Sequence, residues 1–437
     1  MSFRDFPFPE GTSLFPSRSE VLAYLHRFAD SMNARTLTRF RTNVDLVERV
    51  SHNGTGKSKW RILSHSLDIP NKVLEDTFDY VAIASGWARV PHVPFIPGMG
   101  NFRGAQLHSA WYRTPVAFRG KRVFIVGNFS SGADIARELC GGSVRTFEGY
   151  EQWQRDANAS PSGTGTVVYH SYRDPTKPPP LDYYPLDDAS PDWCKRINVV
   201  SSIEQVNQDG SLALADGNTV EADVIIWATG FWRSLPYIDA SRQPFCDYPL
   251  VPELGAKLRH PNEATPLTVF GSDILRGASC LTNLDDWQIF YEPDKTLALL
   301  GVPVNVIPFP FTHVQARVIA CTWAGLMGEL PKLRPNRATQ DPLRWSDIEN
   351  GAPRQLGKGI TPISHDIQTP SEEAYLGMLL TNLDALVSYL PGEEGKKRPA
   401  WDIDARARGP EGFAQLAHWR IDRLHNRIKL RRSLLHY

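Results

Sequence analysis

The residues with the clearest chemical meaning are Gly127, Asn128, Ser130, Ser131 and Gly132, in the stretch KRVFIVGNFSSGADIAREL. An apolar run, a glycine-tipped turn and an amphipathic run follow one another there. A glycine ends the strand because the chain turns sharply with no room for a side chain. The helix beyond it aims unpaired amides, and the positive end of its dipole, at the turn. A pyrophosphate can sit at such a tip without a cation. Gly127 and Gly132 match the first and third glycines of the dinucleotide fingerprint G-x-G-x-x-G, whereas Phe129 takes the second position, where the backbone normally approaches the phosphates. The Ser130 and Ser131 hydroxyls can donate to phosphate oxygens. The alternative for so degenerate a fingerprint is a plain strand–helix turn; its place between an apolar strand and a helix favours the nucleotide.

Two more apolar runs end in the same way, IASG over 83–86 and WATG over 227–230, the second offering Thr229 and Gly230. Each alone reads as a strand terminus. As a pair flanking the nucleotide turn they predict one domain inserted into another, with both crossings at strand ends.

The elements that must position these residues are legible in outline. Apolar spacing predicts a helix over 19–32 capped by Ser17 or Ser19, an extended run over 39–50 paired with 60–63, and a buried strand over 79–86. The run PHVPFIP within 90–97 reads as a linker, because its prolines remove donors and fix the backbone. Strands are expected over 121–126, 143–147 and 224–230, a helix over 133–139, and a meander over 199–215 with a turn at Asp209-Gly210. The proline-rich stretch 150–193 reads as a surface excursion. Beyond Pro331 two helical runs are expected, over 373–390 and 412–435. The basic end of the last one (RIKLRRS) reads as a solvated face, with an anionic partner as the alternative.

Composition narrows the classes. The chain has 437 residues, of which 41% are hydrophobic and 22% charged, enough for two or three globular domains. Lys plus Arg equals Asp plus Glu at 48 each, which argues against general affinity for nucleic acid or anionic membranes. No apolar run approaches the roughly 18 residues of a membrane span. The start MSFRDFPFPEG lacks an apolar signal core, and the five cysteines are dispersed without metal-ligand or C-x-x-C spacing. A cytoplasmic protein without a metal site is the expectation.

The run Phe102-Arg-Gly104-Ala-Gln-Leu-His108-Ser-Ala-Trp-Tyr112-Arg113 resembles the signature F-x-G-x-x-x-H-x-x-x-Y/F of the flavin-containing monooxygenases. Baeyer–Villiger relatives usually carry Trp, then Pro or Asp, where this chain has Tyr112-Arg113. VPHVPFIPG over 90–98 is similar to that family's lead-in, and GNFSSGADIA to its NADPH turn without the middle glycine. ATGF over 228–231 is similar to its second domain crossing, and LGVP with FPFTHVQA, over 300–316, to the return toward the flavin ring. These motifs stand in the family's order between about residues 3 and 333.

The resemblance implies an α/β fold with two Rossmann-like nucleotide-binding domains. An NADPH domain over 87–230 would be inserted into a discontinuous FAD domain, 1–86 and 231–335, followed by a C-terminal helical extension over 336–437. It implies FAD and NADPH as cofactors and the transfer of one oxygen atom from O2 to nitrogen or sulfur, or to carbon, in a small organic substrate, with specialised-metabolite biosynthesis as the expected setting. Gly127, Asn128, Ser130, Ser131, Gly132, Thr229 and Gly230 become the expected cofactor contacts. No catalytic acid or base is assigned. His108 and Tyr112 lie four apart and would share a helical face, with a structural or cofactor-positioning role.

One departure is large. The family opens with a strand, a GxGxxG turn, a helix and an acidic residue for the FAD ribose, and supplies an active-site Asn. No such unit stands before Gly127, since Gly11, Gly54 and Gly56 lie in polar, non-strand surroundings. The FAD domain is therefore expected to be N-terminally incomplete. The alternative function is a non-catalytic family member that binds at most a nicotinamide nucleotide; a non-oxygenating oxidoreductase ranks last for want of a redox C-x-x-C. The choice of NADPH or NADH stays open, because Glu148, with Arg145 nearby, stands about twenty residues past Gly127, where an acid favours the NAD ribose.

Overall fold

A computed structural model describes residues 2–3, 6–51, 58–142, 149–159, 163–174, 176, 182–251, 281–303, 306–328, 330, 375–376, 378–380, 383, 422 and 426–434. The expected strand at 143–147, with Arg145 and Glu148, and most of the extension over 336–437 lie outside the described residues.

Helix α1 (Arg18–Ser31) opens on a capping box: the Glu20 amide donates to Ser17 Oγ, and Glu20 Oε2 accepts the Ser17 amide at 2.6 Å. Its buried Tyr24 clamps the aromatic N-terminal segment, donating its hydroxyl to the Phe6 carbonyl at 2.6 Å and accepting the Phe3 amide at 2.7 Å. Phe3 stacks on Phe28 and Phe309, which ties this segment to a helix far along the chain.

Strands β1 (Thr42–Ser51), β2 (Ser58–Ser66) and β3 (Val73–Phe78) form an antiparallel sheet; the expected pairing of 39–50 with 60–63 is present as β1 with β2, and β3 adds to it. Next come β4 (Val81–Ile83), β5 (Val90–Pro91) and β6 (Ala105–His108). The strand of the fingerprint is β7 (Arg122–Val126), and it feeds α2 (Ser130–Leu139). Helix α3 (Tyr150–Asn158) leads to β8 (Val167–Ser171), then β9 (Ile197–Val200). The meander is β10 (Ile203–Val206), β11 (Leu212–Leu214) and β12 (Thr219–Val220). The last strands are β13 (Val224–Trp227), β14 (Phe231–Trp232) and β15 (Leu297–Leu299). Helices α4 (Pro308–Trp323) and α5 (Arg427–Leu434) follow.

The central feature is a five-stranded parallel sheet in the order β6-β13-β7-β8-β9. Both its faces are covered, which is why β7 and β13 read as uninterrupted apolar runs. Val123, Ile125, Val224 and Ile226 pack toward α2, through Ala133, Ala136 and Leu139. Phe124, Ile225 and Trp227 face the meander and the proline-rich run, through Ile203, Val206, Leu212, Val93 and Ile96. Two short pairings stand beside this sheet. β4 pairs in parallel with β15, and β5 pairs antiparallel with β14. The fold is thus α/β and Rossmann-like.

Three readings need correction. The run over 90–97 is not merely a linker: Val90 pairs with Trp232, and Val93 and Ile96 are buried. Prolines fit there because the pairing is a two-residue edge. The stretch 150–193 is not a surface excursion either, since it contains β8, a strand of the central sheet, and buries Asp182, Tyr183 and Trp193. The basic C-terminal helix is docked on the protein. Arg431 reaches Asp134 on α2 at 2.7 Å, and Arg432 Nε donates to the Asp182 carbonyl at 2.6 Å. The anion it meets is internal: Asp182 is buried and also accepts both of its short bonds from Arg137, each at 2.7 Å.

Candidate cofactor site

The carboxyl ends of β7 and β13 bring all seven expected contact residues together. This is the edge of a parallel sheet where ligands bind, because helix amino termini converge there. Gly127 ends β7 with φ +102°, a conformation L side chains rarely adopt, and a Cβ on it would lie 2.6 Å from the Ala228 carbonyl oxygen at the end of β13. Gly132 is buried in the first turn of α2, and a Cβ there would lie 1.9 Å from the Gly127 carbonyl oxygen. The first and third glycines of the fingerprint are therefore both sterically required.

Phe129 is the N-cap of α2, and no side chain caps the helix. The helix begins at Ser130, three residues before the expected start, so the amides of Ser130, Ser131 and Gly132 form its first turn and have no intrahelical acceptor. Ser130 and Ser131 are exposed, and Asn128 is half-buried at the turn itself. An uncapped, outward-facing helix tip with glycines at its base matches what a pyrophosphate requires.

Across the turn, the end of β13 is built as a lock. Thr229 donates its hydroxyl to the His92 carbonyl, and the His92 amide donates to the Gly230 carbonyl at 2.9 Å. Thr229 is half-buried with its proton committed to the protein. Gly230 is exposed, has φ +78° and has nothing within 4 Å of where a Cβ would be. His108 and Tyr112 do not share a helix. His108 ends β6 and begins a 3-10 turn, its Nδ1 accepting the Ala110 amide at 3.1 Å. Its Nε2 is 2.9 Å from the Gly230 carbonyl, so Nε2 carries the proton. Burial pushes the His108 imidazole down to about 4, and it stays neutral. Tyr112 donates to Glu138 at 2.9 Å, and burial raises its phenol far above the usual range. Both residues fasten elements together; neither is poised to move a proton.

Two residues of this region escape sequence reading. The strand beside β7 on the α2 side is β8, reached only after α3, so the position where a dinucleotide fold reads the adenosine ribose lies at the tip of β8. Tyr172 and Arg173 follow that tip, and Arg173 is exposed. The twenty-residue spacing that drew attention to Glu148 is lengthened here by a whole helix. The other residue is His170 on β8, buried with Nε2 3.1 Å from the Gly127 carbonyl oxygen. A His in the strand VVYHS is the only cue the sequence holds for it.

Residues 1–148 match the flavin-binding monooxygenase-like family model. The flavin-containing monooxygenase FMO GS-OX5 of Arabidopsis thaliana is 31% identical over 249 residues, covering 55% of this chain and 46% of that protein. FMO GS-OX1 of the same plant is 27% identical over 382 residues, covering 82% of this chain and 73% of the relative. The chain is similar to members of the flavin-containing monooxygenase family. It spans about half to three-fifths of the first curated relatives it matches, 46% of GS-OX5 and 63% of FMO GS-OX-like 2. Among solved structures, the S-allyl-L-cysteine S-oxygenase of Allium sativum shares the fold with a TM-score of 0.58 at 21% identity, covering 99% of this chain and 81% of that one. Tmm from Pelagibacter sp. strain HTCC7211 does so with a TM-score of 0.53 at 18% identity, covering 89% and 68%.

The residues fit the two family cofactors unequally. The cradle of Gly127 and Gly132 under the bare tip of α2 suits a nicotinamide dinucleotide. On the flavin side the chain presents the strand tip at Gly86, with φ +76° and open space beside it, and the start of α4, which carries prolines in its first turn and no side-chain cap. Among the described residues no second turn of the Gly127–Gly132 kind stands there. Among the described residues, too, no helix is long and apolar enough to cross a membrane, and no cluster of His, Cys, Asp or Glu could hold a metal ion.

Proposed function

We propose that the chain serves an FAD- and NADPH-dependent monooxygenase that transfers one oxygen atom from O2 to nitrogen or sulfur in a small organic molecule. A single observation carries this reading: the uncapped, glycine-cradled tip of α2 opens beside the exposed crossing at Gly230. Flavin, when bound, supplies the activation of oxygen. The chain's own part is to bind the reductant and aim it. The amides of Ser130, Ser131 and Gly132 take the pyrophosphate. Arg173 at the tip of β8 faces the adenosine ribose as a cation, which favours a 2′-phosphate and hence NADPH over NADH. Thr229, His92 and His108 hold the β13 crossing that separates the nicotinamide side from the flavin side. In this reading the coenzyme domain spans 87–230 and the flavin-facing parts are 1–86 and 231–335.

The test starts with calorimetric titration of the purified chain with NADP+. It continues with NADPH oxidation in air in the presence of added FAD and methyl phenyl sulfide or dimethylaniline, with product analysed after turnover under 18O2. Binding, together with one labelled oxygen in a sulfoxide or N-oxide, is the expected result. Binding without NADPH oxidation supports the second reading, a nicotinamide-nucleotide binder without oxygenase activity. Absence of binding overturns both. Replacing Arg173 with Ala should weaken NADPH about tenfold and leave NADH unchanged, a difference on the scale of one charge-assisted contact.

A further inference from the structure

We propose that His170 is a positioning residue of the coenzyme turn: its Nε2–H holds the Gly127 carbonyl inward and thereby turns the Asn128 amide toward the pyrophosphate. The proposal rests on the reading of that turn as the nicotinamide-dinucleotide site.

The geometry starts from β8. Its register places His170 opposite Ile125 of β7, and like Val168 two residues earlier it faces α2. It is fully buried there. Its Nε2 lies 3.1 Å from the Gly127 carbonyl oxygen, and a Cβ on Gly132 would come within 3.2 Å of the same nitrogen. The Gly127 carbonyl is therefore wedged between the first turn of α2 and the imidazole. A carbonyl can only accept, so the proton is on Nε2. Nδ1 is left as a bare, buried nitrogen with no hydrogen-bond partner, and the ring sits edge-on to Tyr172 at 4.9 Å. Burial pushes the group down to about 4, which keeps it a neutral, single donor.

A peptide is planar and trans, so its C=O and N–H point in opposite directions. Fixing the Gly127 oxygen toward β8 and α2 holds the Asn128 N–H on the opposite side of the peptide, the side on which the proposal seats the pyrophosphate. A flipped 127–128 peptide would instead present an oxygen lone pair to the phosphates. The turn is exposed to such a flip because Gly127 tolerates both orientations. The unsatisfied Nδ1 is a cost that an apolar residue would avoid. What the histidine provides in return is the donor to Gly127.

The experiment compares NADP+ with adenosine 2′-monophosphate, which carries the ribose phosphate but no pyrophosphate, by calorimetric titration of wild-type chain and variants. His170→Leu should weaken NADP+ about tenfold and leave adenosine 2′-monophosphate unchanged. His170→Gln, whose amide reaches where Nε2 sits, should restore NADP+ affinity to within about threefold. Should the leucine variant fail to fold, His170→Asn replaces it; its amide stops short of Gly127 and should show the same selective loss. Equal losses for both ligands, or no loss of NADP+ affinity in a folded Leu or Asn variant, overturn the proposal. A wild-type chain that binds no NADP+ overturns the reading of the turn itself, which is a separate outcome.

Discussion

His108 and Gly230, 2.9 Å apart through Nε2 and a carbonyl oxygen, join the end of β6 to the exposed crossing after β13. The Gly230 carbonyl also accepts the His92 amide, so one loop is held from two sides. Replacing His108 with Phe removes one of those bonds and the acceptor for the Ala110 amide. We expect a stability loss of about 1–2 kcal/mol, with NADP+ affinity reduced several-fold through a loosened crossing. Thermal unfolding with and without NADP+ measures both; an unchanged affinity would mean that the crossing does not shape the coenzyme site.

Acid should destabilise the chain through its buried imidazoles. His108 and His170 are held down to about 4 in the folded state, against about 6.5 in an unfolded chain. As pH falls below about 6.5 the unfolded chain takes up protons that the folded chain refuses. Stability is therefore full above that value and declines by up to about 1.4 kcal/mol per pH unit for each histidine until about pH 4. Unfolding midpoints between pH 7 and 4.5 should show this slope, and His170→Gln should make it shallower.

The glycines divide into two kinds. Gly132→Ala forces a Cβ to 1.9 Å from the Gly127 oxygen. Backbone must move, at a cost of about 2 kcal/mol, and NADP+ binding should be lost. Gly230→Ala meets open space and carries only left-handed strain of about 1 kcal/mol. Its NADP+ affinity should stay near that of the wild type, and paired denaturation and titration experiments separate the two effects.

Asp182→Ala should be the most damaging single change away from the turn. It leaves the Arg137 guanidinium buried beside Tyr183 and Trp193 without its carboxylate, at a cost of about 3–5 kcal/mol. Arg431→Ala removes a half-exposed partner and should cost less than about 1 kcal/mol. Combining Asp182→Leu with Arg137→Met should recover most of the loss. Denaturant midpoints for the three variants decide the matter.

What could be read from residue order was whatever depends on neighbours in sequence. VFIV followed by Gly127 and Gly132 identified the strand, turn and helix of the site, because apolar runs and glycine requirements are local. The apolar spacing over 19–32, with Ser17 or Ser19 as its cap, announced α1 for the same reason. The strand β8 was obscured because VVYHS is short and stands near a proline-rich stretch, and its burial comes from β7 and β9, which no local pattern reveals. Arg173 was overlooked because the usual spacing assumes that the next strand follows directly, whereas α3 intervenes. The spacing of His108 and Tyr112 suggested a shared helical face, but it spans a strand end and a 3-10 turn. The docking of Arg431 and Arg432 on α2 joins residues far apart in the chain, and charge alone could not choose between solvent and Asp182.

The pairing of β4 with β15 has a consequence for how the chain is made. Val81 and Ile83 pair with Leu297 and Leu299, and the Trp60 indole donates to Thr296 across a separation of 236 residues. On the ribosome, the early strands must wait with an unmatched edge while the entire five-stranded sheet is synthesised and given time to collapse. The order of assembly is thus written into the topology: the middle of the chain can condense first, and the flanks close last, when the loop-closure cost has already been reduced by the folded insert between them.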